Sequence, residues 1–219
     1  MRKIVFATNN QHKLDEVRAA LGEEWTLLTP RDCGITEEIP ETSDTLEGNA
    51  LQKAQYIYSR TGLDCFADDT GLEVEALGGA PGVHSARYAT DGHDFAANTA
   101  LLLRNLEGVV NRQARFRTAI ALIMNGVVSM FEGCVSGVIT EAPSGEGGFG
   151  YDPVFRPDGF DRTFAQMSRE EKNAISHRGR AVAELARFLS DDGPQPVAIR
   201  EVQNGPDNKK IFFSVKMKR

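Results

Sequence analysis

The sequence predicts an α/β protein built on a mixed sheet. Three observations carry that expectation: short apolar runs alternate with segments of helical periodicity, an Asn-Gly pair separates two long strand-like runs, and the last strongly periodic segment is amphipathic. Lys3 to Ala7 reads as a short buried strand, and Leu14, Val17 and Leu21 then recur at helical spacing from about Asn10 to Leu21. A second helix is expected from Thr45 to Arg60, where Leu46, Ala50, Ala54 and Ile57 share one face. Asp44 and Glu47 resemble its capping box, and Gly62 follows its end. The strand Cys65-Phe66-Ala67 leads into Asp68-Asp69-Thr70-Gly71, and residues 72–77 alternate as a half-exposed strand. A helix from about Asp94 to Leu106 ends near Gly108. Arg115–Met124 and Val127–Val138 flank Asn125-Gly126, a strong hairpin signal. After a glycine-rich stretch from Pro143 to Gly150, expected to be a mobile loop, the final helix carries Val182, Leu185, Ala186 and Leu189.

Composition bounds the function. The chain has 219 residues, 41% of them hydrophobic and 26% charged, which describes a globular protein able to bury a core. The longest apolar run, Ala119 to Met124, is far shorter than the ~18–20 residues of a membrane span. Met1-Arg2-Lys3 is followed by only four apolar residues before Thr8, too few for a signal peptide, so a cytoplasmic location is expected. Cys33, Cys65 and Cys134 are widely spaced and form no CxxC pair, which points to reduced fillers. Lys209, Lys210, Lys216, Lys218 and Arg219 against Asp207 make +4 in the last fifteen residues, so the total of −6 leaves −10 on residues 1–204. So acidic a body disfavours nonspecific nucleic-acid binding.

Four segments carry candidate chemistry. Thr8-Asn9-Asn10-Gln11-His12-Lys13 follows a strand and opens a helix, where free N–H groups and the dipole attract phosphate and Lys13 adds a charge. Asn10 is either the N-cap or a ligand contact, and the bland alternative is a capped helix with a solvated Lys13. Asp68-Asp69-Thr70-Gly71 ends an apolar strand, and two adjacent carboxylates call for added positive charge, of which Mg²⁺ is the usual source beside phosphates. Glu41 or Glu38 is a candidate third oxygen donor. The alternative is a solvated Asp-rich turn with Gly71 at positive φ. Gly145-Glu146-Gly147-Gly148-Phe149-Gly150 matches GxGxxG formally, but no helix opens at its last glycine, so a dinucleotide fingerprint is rejected. Phe149 and Tyr151 instead offer a flat face for a base, with Asp152 as an acceptor at its edge, or else line a plain surface loop. Finally, Ser168 and Glu171 form a capping box for a short helix carrying Lys172. Lys172 and His177 would point ~140° apart on one straight helix, whereas a break with Ser176 as a second cap aims His177 and Arg178 at an anionic or carbonyl-bearing ligand.

The order of these motifs resembles the inosine triphosphate pyrophosphatase family, enzymes that clear deaminated purine nucleotides, over residues 1 to about 190. The matching segments are Ala7 to Asn10 with Lys13, Glu41-Thr42 with Asn49-Ala50, Ala67 to Leu72, Leu77 to Gly82 with Ser85 to Tyr88, Gly147 to Pro153, and Glu171 to Asn173 with Ile175 to Gly179. The resemblance implies an elongated mixed sheet flanked by helices, in two lobes with the active site in the cleft between them, and usually a homodimer. It implies that Thr8, Asn9, Asn10, Gln11, His12 and Lys13 hold the triphosphate and that Glu41 and Asp69 bind Mg²⁺, with Asp69 activating water. It further implies that Thr70 touches substrate, that Phe149, Gly150, Tyr151 and Asp152 wall the base pocket, that Lys172 contacts substrate and that His177 and Arg178 read the 6-oxo edge. Asn9 stands where Gly is commoner and Thr70 where Ser is usual. The tail after about Asp191 has no family counterpart; Ile211 to Val215 is an added strand, a basic tail or a partner-binding segment.

The expected reaction is hydrolysis of ITP, dITP and XTP to the monophosphate and pyrophosphate by a single domain, residues 1–190, with 191–219 as an extension. The competing readings are a pyrophosphatase for another modified nucleotide, and a noncatalytic nucleotide-binding regulator, against which the Asp68-Asp69 pair counts.

Overall fold

A computed structural model describes residues 2–92, 94–190, 202–204 and 210–213. The chain forms two compact units: one holds residues 1–69, 119–132 and 181–219, the other 70–118 and 133–180.

The first unit is organised by strands β1 (Arg2–Phe6), β2 (Trp25–Leu28), β3 (Cys65–Val74), β5 (Gln113–Met124) and β6 (Val127–Ile139). β1 runs parallel to both β2 and β3, with Val5 opposite Cys65 and Phe6 opposite Phe66. β2, which has no distinctive pattern in the sequence, is the edge beside β1. Alternation of side chains along a strand assigns the two faces. Ile4, Phe6 and Phe66 pack with Leu14, Val17 and Leu21 of α1 (Gln11–Leu21) and with Ala181, Val182, Leu185 and Leu189 of α5 (His177–Ser190). Phe6 and Phe66 stack with ring centroids 4.5 Å apart. The opposite face meets α2 (Leu46–Thr61), where the buried Cys65 thiol donates to the Ala54 carbonyl. The cap of α2 is Thr45, whose hydroxyl accepts from Gly48 N–H, one residue later than the Asp44/Glu47 box expected. Gly62 closes the helix at φ 66° as expected.

Asn125 and Gly126 both have positive φ, 49° and 79°, the signature of the two-residue turn that the sequence predicts between β5 and β6. β9 (Lys210–Phe213) lies parallel to β6 at Val127 and Val128, and β8 (Val202–Asn204) pairs antiparallel with β9. Of the alternatives left open for Ile211–Val215, a strand is present from Lys210 to Phe213, and Ser214 and Val215 lie outside the described residues.

In the second unit the remaining parts of β3, β5 and β6 are joined by β4 (Pro81–Gly82), antiparallel to β3, and β7 (Phe155–Pro157), antiparallel to β6. α3 (Phe95–Asn105) is capped by Asp94, and α4 (Arg169–Ile175) by Ser168 with the expected capping box. Leu72, Leu102, Leu106, Phe116, Phe155 and Phe164 centre the core.

Residues 72–77 do not form one half-exposed strand as expected: β3 ends at Val74, and Glu75–Leu77 is a 3-10 turn. Two further local expectations need comment. Asp68-Asp69-Thr70-Gly71 is neither a turn nor the end of a strand: β3 runs through it, and Gly71 is not at positive φ. Its neighbours in the sheet override a turn-like composition. Three glycines of Pro143–Gly150 are closely packed: a Cβ on Gly145 would stand 2.5 Å from the Ala165 backbone, one on Gly147 2.9 Å from the Ala165 carbonyl oxygen, and one on Gly148 2.0 Å from Asp152 Oδ2, whereas Gly150 has open space and a positive φ of 64°.

Candidate active site

The predicted residues fall into two groups, one in each unit. In the first, Asn10 is the N-cap of α1, its Oδ1 accepting from His12 N–H at 3.0 Å and Lys13 N–H at 3.4 Å, while Thr8 Oγ1 accepts from Asn10 N–H. The cap reading therefore holds for Asn10. Asn9 is exposed and outside the left-handed region, so replacing Gly there costs no backbone strain. Gln11 donates along the helix to Asp15, and His12 is exposed. Lys13 reaches across to Asp68, Nζ to Oδ1 at 2.9 Å.

Strand alternation gives the Asp pair separate surroundings. Even-numbered Phe66 and Asp68 face α1, whereas Cys65 and Asp69 face α2. Asp69 Oδ2 accepts from Asn49 Nδ2 at 3.1 Å and Oδ1 lies 3.5 Å from Lys53 Nζ, which also binds Glu41. Each aspartate thus meets a different lysine, Lys53 being shared with Glu41, so part of the positive charge expected from metal is supplied by the protein. Burial pushes the Asp69 carboxyl above the usual carboxylate range, against the opposing charges of Lys53 and Lys13. Burial alone would lower Lys53, but Asp69, Glu41 and Asp68 reverse it and hold it above the ordinary lysine value.

Among the described residues no three carboxylate, His or Cys side chains form a metal cluster. Glu41 and Asp69 nevertheless converge on one cation, the Lys53 ammonium, and Mg²⁺ asks for only one or two carboxylates when phosphates and water complete its shell. The donor set fits. Of the two candidate third donors, Glu41 is in this cluster and Glu38 is exposed.

The second group surrounds Phe149. Lys172 Nζ lies 4.9 Å from its ring centroid and 2.7 Å from Asp152 Oδ2; Arg178 Cζ lies 5.5 Å from the same ring. Asp152 also accepts from Phe149 N–H. The expected break is present: α4 ends at Ile175, Ser176 is extended, and its Oγ accepts from Gly179 N–H as α5 begins. His177 stacks on Phe116 at 4.5 Å, and Arg178 Nη2 donates to Thr70 Oγ1 at 3.2 Å. Tyr151 departs from the expectation. It is a core residue whose hydroxyl donates to the Ser85 carbonyl, so Phe149 alone of the two aromatics offers a ring face. Gly150 adopts φ 64° and its carbonyl meets Thr99 Oγ1 at 3.5 Å.

Sequence reasoning gave no role to Asn49 and Lys53. The available signal was their i,i+4 spacing beside the apolar stripe of α2, where a buried lysine requires an anionic partner.

A sequence model of the Ham1 family matches residues 4–188. The chain belongs to the Ham1 family. A dITP/XTP pyrophosphatase of Porphyromonas gingivalis is 54% identical over 190 residues, covering 86% of this chain and 98% of that protein. The dITP/XTP pyrophosphatase of Flavobacterium johnsoniae is 50% identical over 188 residues, with the same coverage of both chains. The solved structure of a Ham1 protein from Coxiella burnetii superposes with a TM-score of 0.82 at 38% identity, covering 87% of this chain and all of that one. The resemblance read from the motifs and the mixed α/β fold are thereby met.

Proposed function

We propose that this Ham1-family chain hydrolyses dITP, ITP and XTP to the nucleoside monophosphate and pyrophosphate. The observation that carries the reading is Asp69, a buried carboxylate held by Asn49 and Lys53 with its proton affinity raised. Relatives about half identical that are named dITP/XTP pyrophosphatases support it. Asp69 takes a proton from water, the water oxygen attacks the α-phosphorus, and the bond from that phosphorus to the bridging oxygen breaks to release pyrophosphate. Lys13 and Lys53 bring positive charge to the phosphate oxygens, and the segment Thr8 to Lys13 cradles the triphosphate. Glu41 and Asp69 would hold Mg²⁺, which when bound would supply Lewis-acid stabilisation of the same oxygens.

On the base side, Phe149 offers a stacking face, with Lys172 and Asp152 securing it. The donors of His177 and Arg178 suit a 6-oxo group and oppose the amino group of adenine, a mismatch that buried sites reject strongly. Guanine shares the 6-oxo group, so its exclusion acts at the 2-amino position. We place the enzyme in the cytoplasm as a homodimer, states read by fractionation and sedimentation; no helix among the described residues is long and apolar enough to cross a membrane.

Incubation with ITP, XTP, dUTP, ATP and GTP plus Mg²⁺, separating pyrophosphate from phosphate, tests the proposal. ITP and XTP should yield pyrophosphate, and Asp69→Asn should abolish it while the fold persists. Equal turnover of ATP and ITP would sink the base selection, and an active Asp69→Asn would remove Asp69 as the base.

A further inference from the structure

Thr118 is fully buried on β5 in the second unit and is assigned nothing by the motifs. Its hydroxyl lies 2.7 Å from that of Thr70, and among the described residues this is its side chain's hydrogen-bond partner. Thr70 Oγ1 also accepts from Arg178 Nη2 at 3.2 Å, and the guanidinium can only donate. Two proton arrangements are possible between the hydroxyls. If Thr70 donated to Thr118, the Thr118 proton would be buried without an acceptor and would bear the full desolvation cost of that group. If Thr118 donates, its buried proton is accepted by Thr70 Oγ1, and both lone pairs of Thr70 are filled. The second arrangement is favoured. Thr70, which is only part-buried, then retains one capability, donation of its own proton.

We propose that Thr118 is a positioning residue that, together with Arg178, makes the Thr70 hydroxyl an obligate hydrogen-bond donor to an acceptor oxygen of the bound nucleotide. The inference rests on the function proposed above and concerns that same site. Thr118 never touches substrate; it acts by filling one lone pair of Thr70 and thereby holding the oxygen on which Arg178 rests. Nucleotides that present an acceptor to this trio are favoured, and the side chain of Arg178 is kept oriented for them.

The test is a double-mutant cycle in kcat/KM with Thr118→Val, Thr70→Val and the pair, alongside Thr118→Ser. Thr118→Val keeps the shape and removes the hydroxyl; it should lower kcat/KM for ITP about tenfold and narrow the ITP-to-ATP ratio. Thr118→Ser should stay within about twofold of the parent, and Thr118→Val should add less than about twofold in the Thr70→Val background. A purely structural Thr118 predicts instead a lowered melting temperature with the same loss in both backgrounds and an unchanged ratio. That result overturns the proposal, as does Thr118→Val activity equal to the parent. If Thr118→Val does not fold, Thr118→Ala enters the same cycle.

The cycle is run on whichever triphosphate the parent turns over fastest, so a wrong base preference appears in the parent's own panel. A parent without turnover overturns the proposed reaction, yet the coupling remains readable as the change in Kd for ITP.

Discussion

Lys172 and Asp152 form a buried ion pair at 2.7 Å in the second unit, with side-chain exposures of 7% and 3%. Removing one member of such a pair strands the other charge, so Lys172→Met should lower unfolding free energy by about 3–5 kcal/mol in urea titrations. Adding Asp152→Asn to that variant should recover part of the loss; no recovery would mean that the pair's charge is not what stabilises the Phe149 loop. The aspartate tandem was legible in the sequence as chemistry, because two adjacent carboxylates after an apolar strand demand compensation. Their lysines were less legible. Lys53 meets Asp69 only because α2 covers that face of β3, a packing fact that spacing along the chain does not encode. Tyr151 was misread for a related reason: its place among glycines suggested exposure, whereas its hydroxyl finds the Ser85 carbonyl and its ring finds the core.

The junction between α4 and α5 determines where His177 and Arg178 begin. Ser176 caps α5 through Gly179 N–H, so Ser176→Ala should cost about 1 kcal/mol and leave most activity intact. Gly179 is under a harder constraint: a Cβ there would lie 1.8 Å from the Asn173 carbonyl oxygen, which belongs to the preceding helix. Gly179→Ala should therefore cost more than the cap, near the upper end of about 1–3 kcal/mol, and depress kcat/KM as the helix start shifts. Thermal melts and ITP kinetics of the two variants check both statements; equal effects would contradict the packing argument. This junction could be read in advance because caps are local signals carried by few residues. β3 could not, since its central Asp-Asp-Thr-Gly favours a turn and only pairing with neighbouring strands extends it.

For the molecule as a whole, the Ham1 match ends at residue 188, and none of the groups described at the site lies beyond it. A chain ending at residue 190 should accordingly fold and keep kcat/KM within about twofold of the parent. It would also expose the edge of β6 at Val127 and Val128, where β9 pairs, and an open edge invites pairing with other chains. Light scattering should then show more self-association in the shortened chain than in the parent. Loss of folding would show instead that the extension is integral. The fold class was legible because alternating periodicities and the Asn-Gly turn are repeated over the chain, but β2 and the role of the tail depended on long-range pairing.

The Lys53 ammonium between Glu41 and Asp69 has a last consequence. A site of converging carboxylates without such a cation would repel itself open, and the protein would need its metal to hold together. Here an internal cation already bridges the two carboxylates and offsets one of their two charges. Chelation by EDTA should therefore silence pyrophosphate release while shifting the melting temperature by no more than about 2 °C. A large fall on chelation would show that metal, rather than lysine, is the structural counter-ion.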